Sequence, residues 1–187
     1  MGSSPTRAQP LFPTVIWFIS DAHFGHRNVA NFGGRPISGP DDNVRWITEC
    51  WQSLVSNKTA LDRADRVYCL GDMAFDEDSL HIIRQLNGIK FLIKGNHCHS
   101  SELERDVYAT VEGFFRYKGM WLSHCPIHEA ELRGTPNVHG HTHMQDIPDP
   151  RYFNVCVESL YAKFGRPMIS LDEIRGWVDS QYSPLHA

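Results

Sequence analysis

The chain lacks any apolar run near the roughly 20 residues that would cross a bilayer. It also lacks a CxxC pair, a run of basic residues and an internal repeat. Each absence removes a class of protein. The longest early apolar run, Val15 to Ile19, is too short for a secretory core and has no small-residue cleavage site behind it, so the cytoplasm is the expected compartment. Five cysteines, odd in number and scattered, argue against a disulfide framework or a zinc ribbon. A formal charge of -4 with no basic run disfavours extended nucleic acid, which needs many Lys and Arg contacts to phosphate. A small phosphorylated ligand stays open, because a local site can be positive on an acidic protein. With 187 residues, 41% of them hydrophobic, the chain can bury a substantial core. One domain over 14–187 is expected, behind a disordered leader over 1–13.

What the chain has in plenty is histidine, eleven in all. Their setting is an alternation of strand and helix patterns. TVIWFIS (14–20) is β-branched and aromatic, apolar on both faces, and reads as a buried strand. Residues 41–55 put Val44, Ile47, Trp51, Leu54 and Val55 on one helical face, with Asp41 or Asp42 as N-cap. RVYCL (66–70) and KFLI (90–93) read as further strands, separated by a short helix over 79–86 that Asn87-Gly88 closes. This rhythm predicts an α/β sheet with parallel pairs at its centre. Beyond it, 120–123, 137–139 and 153–158 read as short strands. Ser170-Leu171-Asp172-Glu173 forms a capping box that opens a helix running to about Tyr182.

Polar residues gather at the strand exits. The first strand is followed by Asp21-x-His23, the second by Gly71-Asp72 and the third by Gly95-Asn96-His97. The strand at Met120 is followed by His124, and that at Val138 by Gly140-His141-x-His143. Open α/β sheets bind ligands beyond the carboxyl ends of their strands. Two aspartates, one asparagine and four histidines therefore converge, a set of N and O donors without thiolate that suits Mn, Fe, Zn or Ni. In Asp21-x-His23, an extended backbone would point both side chains the same way. Asp72, alone at the end of a central strand, is the natural bridge between two ions about 3.5–4 Å apart. Gly71, Gly95 and Gly140 would let backbone approach the site closely. Any one of these motifs is common turn chemistry; their joint, ordered occurrence after apolar strands is not.

In that order the motifs resemble those of the calcineurin-like metallophosphoesterases, over residues 14–175. The stretches 19–26, Arg35-Pro36, 122–128, Asn154-Val155 and 169–174 resemble its small phage and bacterial phosphoesterases. The resemblance implies a layered α/β-β-α sandwich with a dinuclear site. One ion would take Asp21, His23, Asp72 and His143, and the other Asp72, Asn96, His124 and His141. It further implies in-line attack on phosphorus by a bridging hydroxide, with His97 as the catalytic proton donor. The implied activity is hydrolysis of a small, nucleotide-like phosphate mono- or diester, with two divalent ions, Mn foremost, as cofactors. The rival readings are a metal-dependent nuclease and an inactive binding scaffold. Two positions depart from the pattern: Cys98 stands where an acidic residue is usual, and Cys156 where glycine is.

Other residues are candidates by position. His26, Asn28 and Arg35, on the loop after the first strand, could bind the substrate phosphate, or could cap a short helix and pair with a surface carboxylate. His128, four residues after His124, could support the site. Phe24 and Phe32 are candidates for stacking a base, whereas Trp46, Trp51 and Trp177 read as core. The cysteines read as buried small hydrophobes, except Cys98, which could be exposed and oxidisable. His81, His99 and His186 carry no clear role. Substrate choice would lie in the loops 24–40, 99–112 and 127–137.

Overall fold

Strand β1 (Ile16–Ile19) sits at the heart of a computed structural model that describes residues 14–57, 64–98 and 101–182. The leader 1–13, His99 and His186 lie outside the described residues. Alternation along β1 sends Trp17 and Ile19 to one face and Ile16 and Phe18 to the other, and both faces are covered. The same parity holds in β2 (Arg66–Cys69) and β3 (Ile89–Ile93). These strands run parallel in a five-stranded sheet, ordered β4 (Thr110–Glu112), β3, β2, β1 and β9 (Ile169–Ser170). Only β9 is antiparallel to its neighbour. Helices α1 (Pro40–Leu54) and α2 (Glu77–Gln85) cover one face through Ile47, Trp51, Leu80 and Ile83.

The other face packs on a second sheet, ordered β5 (Phe114–Tyr117), β6 (Met120–Ser123), β7 (Asn137–His139) and β8 (Tyr152–Asn154). Phe18, Tyr68 and Ile93 meet Leu122, Val138 and Phe153 between the sheets. In β5–β6 the two-residue turn Lys118-Gly119 has positive φ at both positions, as a tight hairpin needs. The rest of the second sheet is parallel. Short helices α3 (Ser101–Arg105) and α4 (Glu129–Leu132) lie on the connections, and α5 (Val157–Phe164) and α6 (Leu171–Tyr182) complete six α-helices among the described residues. The protein is thus an α/β fold built on two sheets. No helix among the described residues is long and apolar enough to cross a membrane.

The capping box holds as read: Ser170 Oγ accepts the Glu173 N–H at 3.3 Å, and Glu173 Oε2 accepts the Ser170 N–H at 3.0 Å. Other expectations need correction. The first helix is capped by Gly39 with Pro40 in its first turn, not by Asp41 or Asp42. Asp76 caps α2 by accepting the Ser79 N–H, so that helix starts before residue 79. The segment 153–158 is strand only to Asn154. Val157 and Glu158 begin α5 instead, because an apolar run buried on all sides carries no period to separate strand from helix.

Candidate metal centre

The carboxyl ends of β1, β2, β3, β6 and β7 all open onto one place, and so does that of β8. There the two sheets touch: Ser20, just past β1, bridges to Cys156, just past β8, with Ser20 N–H to Val155 O at 3.0 Å and Val157 N–H to Ser20 O at 3.1 Å. This seam fixes Asp21. Its Oδ2 accepts from Ser20 Oγ at 2.6 Å, His141 N–H at 2.8 Å and the Cys156 thiol at 3.1 Å. Its Oδ1 is buried and has no hydrogen-bond partner. His23 Nε2 lies 3.5 Å from it and His143 Nε2 3.8 Å, and His23 Nε2 is itself buried and unpartnered. Donor atoms of Asp21, His23 and His143 all lie within 4.8 Å of one another, close enough to share an ion.

The second half of the centre is built around His124. Its Nδ1 lies 2.7 Å from the Leu70 carbonyl, which fixes the Nδ1–H tautomer and turns Nε2 inward. Nε2 then faces Asn96 Oδ1 at 3.0 Å and Asp72 Oδ2 at 3.3 Å. Three lone-pair donors facing one another repel unless a cation, metal ion or proton, lies among them. The other Asp72 oxygen accepts the His97 N–H at 2.9 Å. Donor atoms of Asp21, Asp72 and His124 again fall within 4.8 Å of one another, as do those of His124, Cys125 and His141. A thiol therefore stands beside the second set, contrary to the expected thiolate-free inventory, and Cys125 is exposed rather than buried.

Electrostatics follow the same geometry. Burial alone would raise the Asp21 carboxyl, yet the hydrogen bonds and charge around it hold it well below the usual carboxylate range. Asp72 is lowered against burial as well, chiefly by His124. His124 is raised although burial opposes its charge, because Asp72 and Asp21 face it. His143 is raised by Glu158. The two carboxylates stay ionised side by side, which a cation would relieve.

Backbone conformation singles out the same residues. Seven described non-glycine residues have positive φ, and five of them are Asp21, His23, Asp72, His141 and His143. Such positions cost on the order of 1–3 kcal/mol each and concentrate at functional sites. They also correct the expected extended geometry, since Asp21 and His23 converge through left-handed backbone. Close approach is real at the glycines. A Cβ on Gly95 would stand 2.1 Å from Asp72 Oδ1, and one on Gly140 would stand 2.0 Å from Ser20 Oγ.

The remaining candidates separate. His97 is exposed, belongs to none of the ion-sharing groups, and rests its ring on Phe75 at 5.1 Å, with the His23 ring 6.1 Å away. Arg35 turns inward rather than toward solvent. Its buried guanidinium donates to Glu158, Asn43 Oδ1 and the carbonyls of Asp21 and Ala22. His128 is the N-cap of α4, accepting the Ala130 N–H at 3.2 Å, and gives the site no contact. His26 accepts the Asn28 N–H and lies against Phe75 and Phe32, its pKa lowered first by burial and then by the electrostatics of the neighbouring imidazoles and Arg35. Asn28 is exposed at the start of a 3-10 turn (Val29–Phe32) without a side-chain cap bond. Phe24 is fully buried in the core and cannot stack a base, while Phe32 packs on His23, His26 and His143. Trp51 is core as expected, with Trp46 and Trp177 packed at its margins. Cys98 is half-buried, its Sγ accepting the Gly95 N–H at 3.0 Å, and burial raises its thiol pKa.

Two residues escaped the sequence reading. Glu158, fully buried on α5, accepts from Arg35 and lies 3.0 Å from His143 Nδ1. Phe75 holds the rings of His23, His26 and His97 together. Neither carried a local signal. Glu158 read as the end of a strand, and Phe75 belonged to no motif.

Fold and site together define an α/β protein with a polar centre at the carboxyl ends of its strands whose side chains are close enough to hold a cation. The chain belongs to the same family as the uncharacterized protein MJ1445 of Methanocaldococcus jannaschii, with which it is 30% identical over 175 residues, covering 85% of this chain and 88% of that one. The gene 66 protein of Mycobacterium phage D29 is 28% identical over 204 residues, covering 88% and 96% of the two chains. The crystal structure of AQ665 from Aquifex aeolicus, a protein of unknown function, shares the fold with a TM-score of 0.66 at 22% identity, over 87% of this chain and 98% of that one. No family model matches the chain.

Proposed function

We propose that this protein is a dinuclear metal-dependent phosphoesterase of the calcineurin-like type, its two sheets and flanking helices forming that family's sandwich, and that it hydrolyses a small phosphate mono- or diester. The observation that carries this reading is the pair of ionised carboxylates, Asp21 and Asp72, within ion-sharing distance. Lone-pair donors face them. Asp21, His23, Asp72 and His143 would hold one ion. Asp72, Asn96, His124 and His141 would hold the other, with the Cys125 sulfur within reach. Divalent cations bound there would neutralise phosphoryl oxygens and acidify water.

The chain's own residues would do the rest. The Leu70 carbonyl and Glu158 fix the tautomers of His124 and His143, and the His97 N–H orients Asp72. The His97 side chain, beside the ligands but not among them, would give a proton to the leaving oxygen. The test is metal analysis and calorimetric titration with Mn, together with turnover of bis(p-nitrophenyl) phosphate and p-nitrophenyl phosphate. Two ions per chain and Mn-dependent release of nitrophenol are expected, both lost in Asp72→Asn. One ion or none at saturating Mn, or no hydrolysis of either ester, would overturn the reading.

A further inference from the structure

Strand β5 reads Phe-Phe-Arg-Tyr, and its alternation turns Phe115 and Tyr117 into the core between the sheets while Phe114 and Arg116 point away. Phe114 is 62% exposed, more than any other large apolar side chain among the described residues. A single exposed phenylalanine needs no explanation. This one, however, lines a cavity of about 770 Å³ that reaches Asn96 and His124 of the candidate metal centre. Trp121 stands beside it, with ring centroids 5.9 Å apart at 51°. The indole N–H is directed at the Leu132 carbonyl at 3.4 Å, so the ring is left as apolar wall. Arg116 lies over that ring at 5.3 Å and is steadied by donating to Thr135 Oγ1 at 2.8 Å. The cavity thus has one end at the candidate metal centre, which would draw a phosphate once cations are bound there, and an aromatic wall with a fixed cation away from it.

We propose, resting on the phosphoesterase reading, that this cavity is the subsite for the nucleoside portion of a nucleotide ester, with Phe114 and Trp121 as its stacking surface. The size agrees, since pockets of about 300–1,000 Å³ hold ligands of this class. Aromatic side chains take any base on its π face, which gives affinity without sequence preference. A sugar phosphate or an alkyl phosphate would leave the aromatic wall unused.

The test uses the full chain with saturating Mn and two diesters that share a scissile bond and a leaving group: the p-nitrophenyl ester of thymidine 5′-phosphate and methyl p-nitrophenyl phosphate. The nucleoside ester should be preferred in kcat/KM by about 10-fold or more, chiefly through KM. In Phe114→Ala that preference should collapse toward unity, and Phe114→Tyr should keep it. Equal use of both esters by the wild type, or a preference that survives in Phe114→Ala, overturns the proposal while leaving the phosphoesterase reading intact. If neither diester is cleaved while p-nitrophenyl phosphate is, the protein is a monoesterase, and if none of the three is cleaved the phosphoesterase reading falls; in either case calorimetric titration with thymidine 5′-phosphate decides the subsite. Binding weakened about 10-fold in Phe114→Ala supports it, and equal or absent binding overturns it. A wild-type dimer in sedimentation that Phe114→Ala dissociates would assign the wall to a second copy of the chain and also overturn the proposal.

Discussion

Nδ1 of His143 lies 3.0 Å from Oε1 of Glu158, a carboxylate fully buried at the start of α5 and shared with the Arg35 guanidinium. This contact sets which imidazole nitrogen is free, and it leaves Nε2 turned toward Asp21. Partners of this kind typically account for 10–100-fold in metal affinity. Glu158→Gln should therefore weaken Mn binding at the Asp21–His23–His143 position by about that factor, read by titration against a folded chain verified by circular dichroism. Unchanged affinity would show that His143 is oriented by something else.

Arg35 gives a prediction that separates two roles. As a substrate clamp, its loss would raise KM and leave stability alone. Here its donors are occupied inside the protein, two of them by the carbonyls of Asp21 and Ala22, which tie down the strained segment carrying the ligands. Removing one member of a buried ion pair costs about 3–5 kcal/mol. Arg35→Ala should accordingly lower the melting temperature and the metal affinity together. Arg35→Lys should rescue little, because a single ammonium cannot span Glu158, Asn43 and two carbonyls.

The difference between Arg35 and Asp72 shows what a sequence can display. Asp21, Asp72, Asn96, His124, His141 and His143 were legible because each follows an apolar strand directly, and a parallel sheet brings strand ends together. The central strands and α6 were legible for similar reasons, through local pattern and capping chemistry. Strand β5 was not, since the exposed Phe114 is apolar and masks an alternation that its burial otherwise keeps. Partners fixed by tertiary contact were also hidden. Arg35 and Glu158 are separated by 123 residues, and nothing local tells an internal ion pair from a surface one. The left-handed backbone at Asp21 and His23 was equally invisible, because strain of that sort is imposed by the surrounding fold.

Gly95 tests the close packing of the centre. A methyl group there would meet Asp72 Oδ1 at 2.1 Å and the Asp72 backbone nitrogen at 2.8 Å, so the carboxylate must move. Gly95→Ala should cost metal occupancy, by at least about 10-fold in affinity on the scale of perturbed ligand support. Gly176 has open space around it and, like Gly95, no positive φ, so Gly176→Ala controls for an added methyl group alone and should leave metal affinity unchanged. Equal metal binding by both variants would contradict the packing described.

The capping box of α6 predicts a pH-dependent contribution to stability. Burial would raise the Glu173 carboxyl, but the Ser170 hydroxyl and N–H, with Arg166 beside them, lower it below its ordinary value. A depressed carboxyl stabilises the fold above the unfolded pKa of about 4.3, and that stability is lost as pH falls through the folded value. Ser170→Ala should thus cost about 1 kcal/mol near neutral pH, roughly 2–4 °C in melting temperature, and progressively less below pH 4. A penalty independent of pH would mean that the carboxylate takes no part in the cap.

His97 is where backbone and side chain make different claims. Its N–H holds Asp72, and alanine at this position keeps that N–H, so His97→Ala should leave both metal sites occupied. Its ring stands exposed on Phe75, outside the groups that could share an ion. Loss of a general acid typically lowers turnover by about 10²–10⁴-fold. That loss should depend on the leaving group: large for an alkyl ester, whose alkoxide needs a proton, and small for a p-nitrophenyl ester, which leaves unaided. Measuring kcat for both ester types in the wild type and in His97→Ala, with metal content checked in parallel, separates the roles. A uniform loss with metals retained would make His97 an electrostatic partner of the phosphoryl group, and a loss that tracks metal content would make it a support for Asp72 alone.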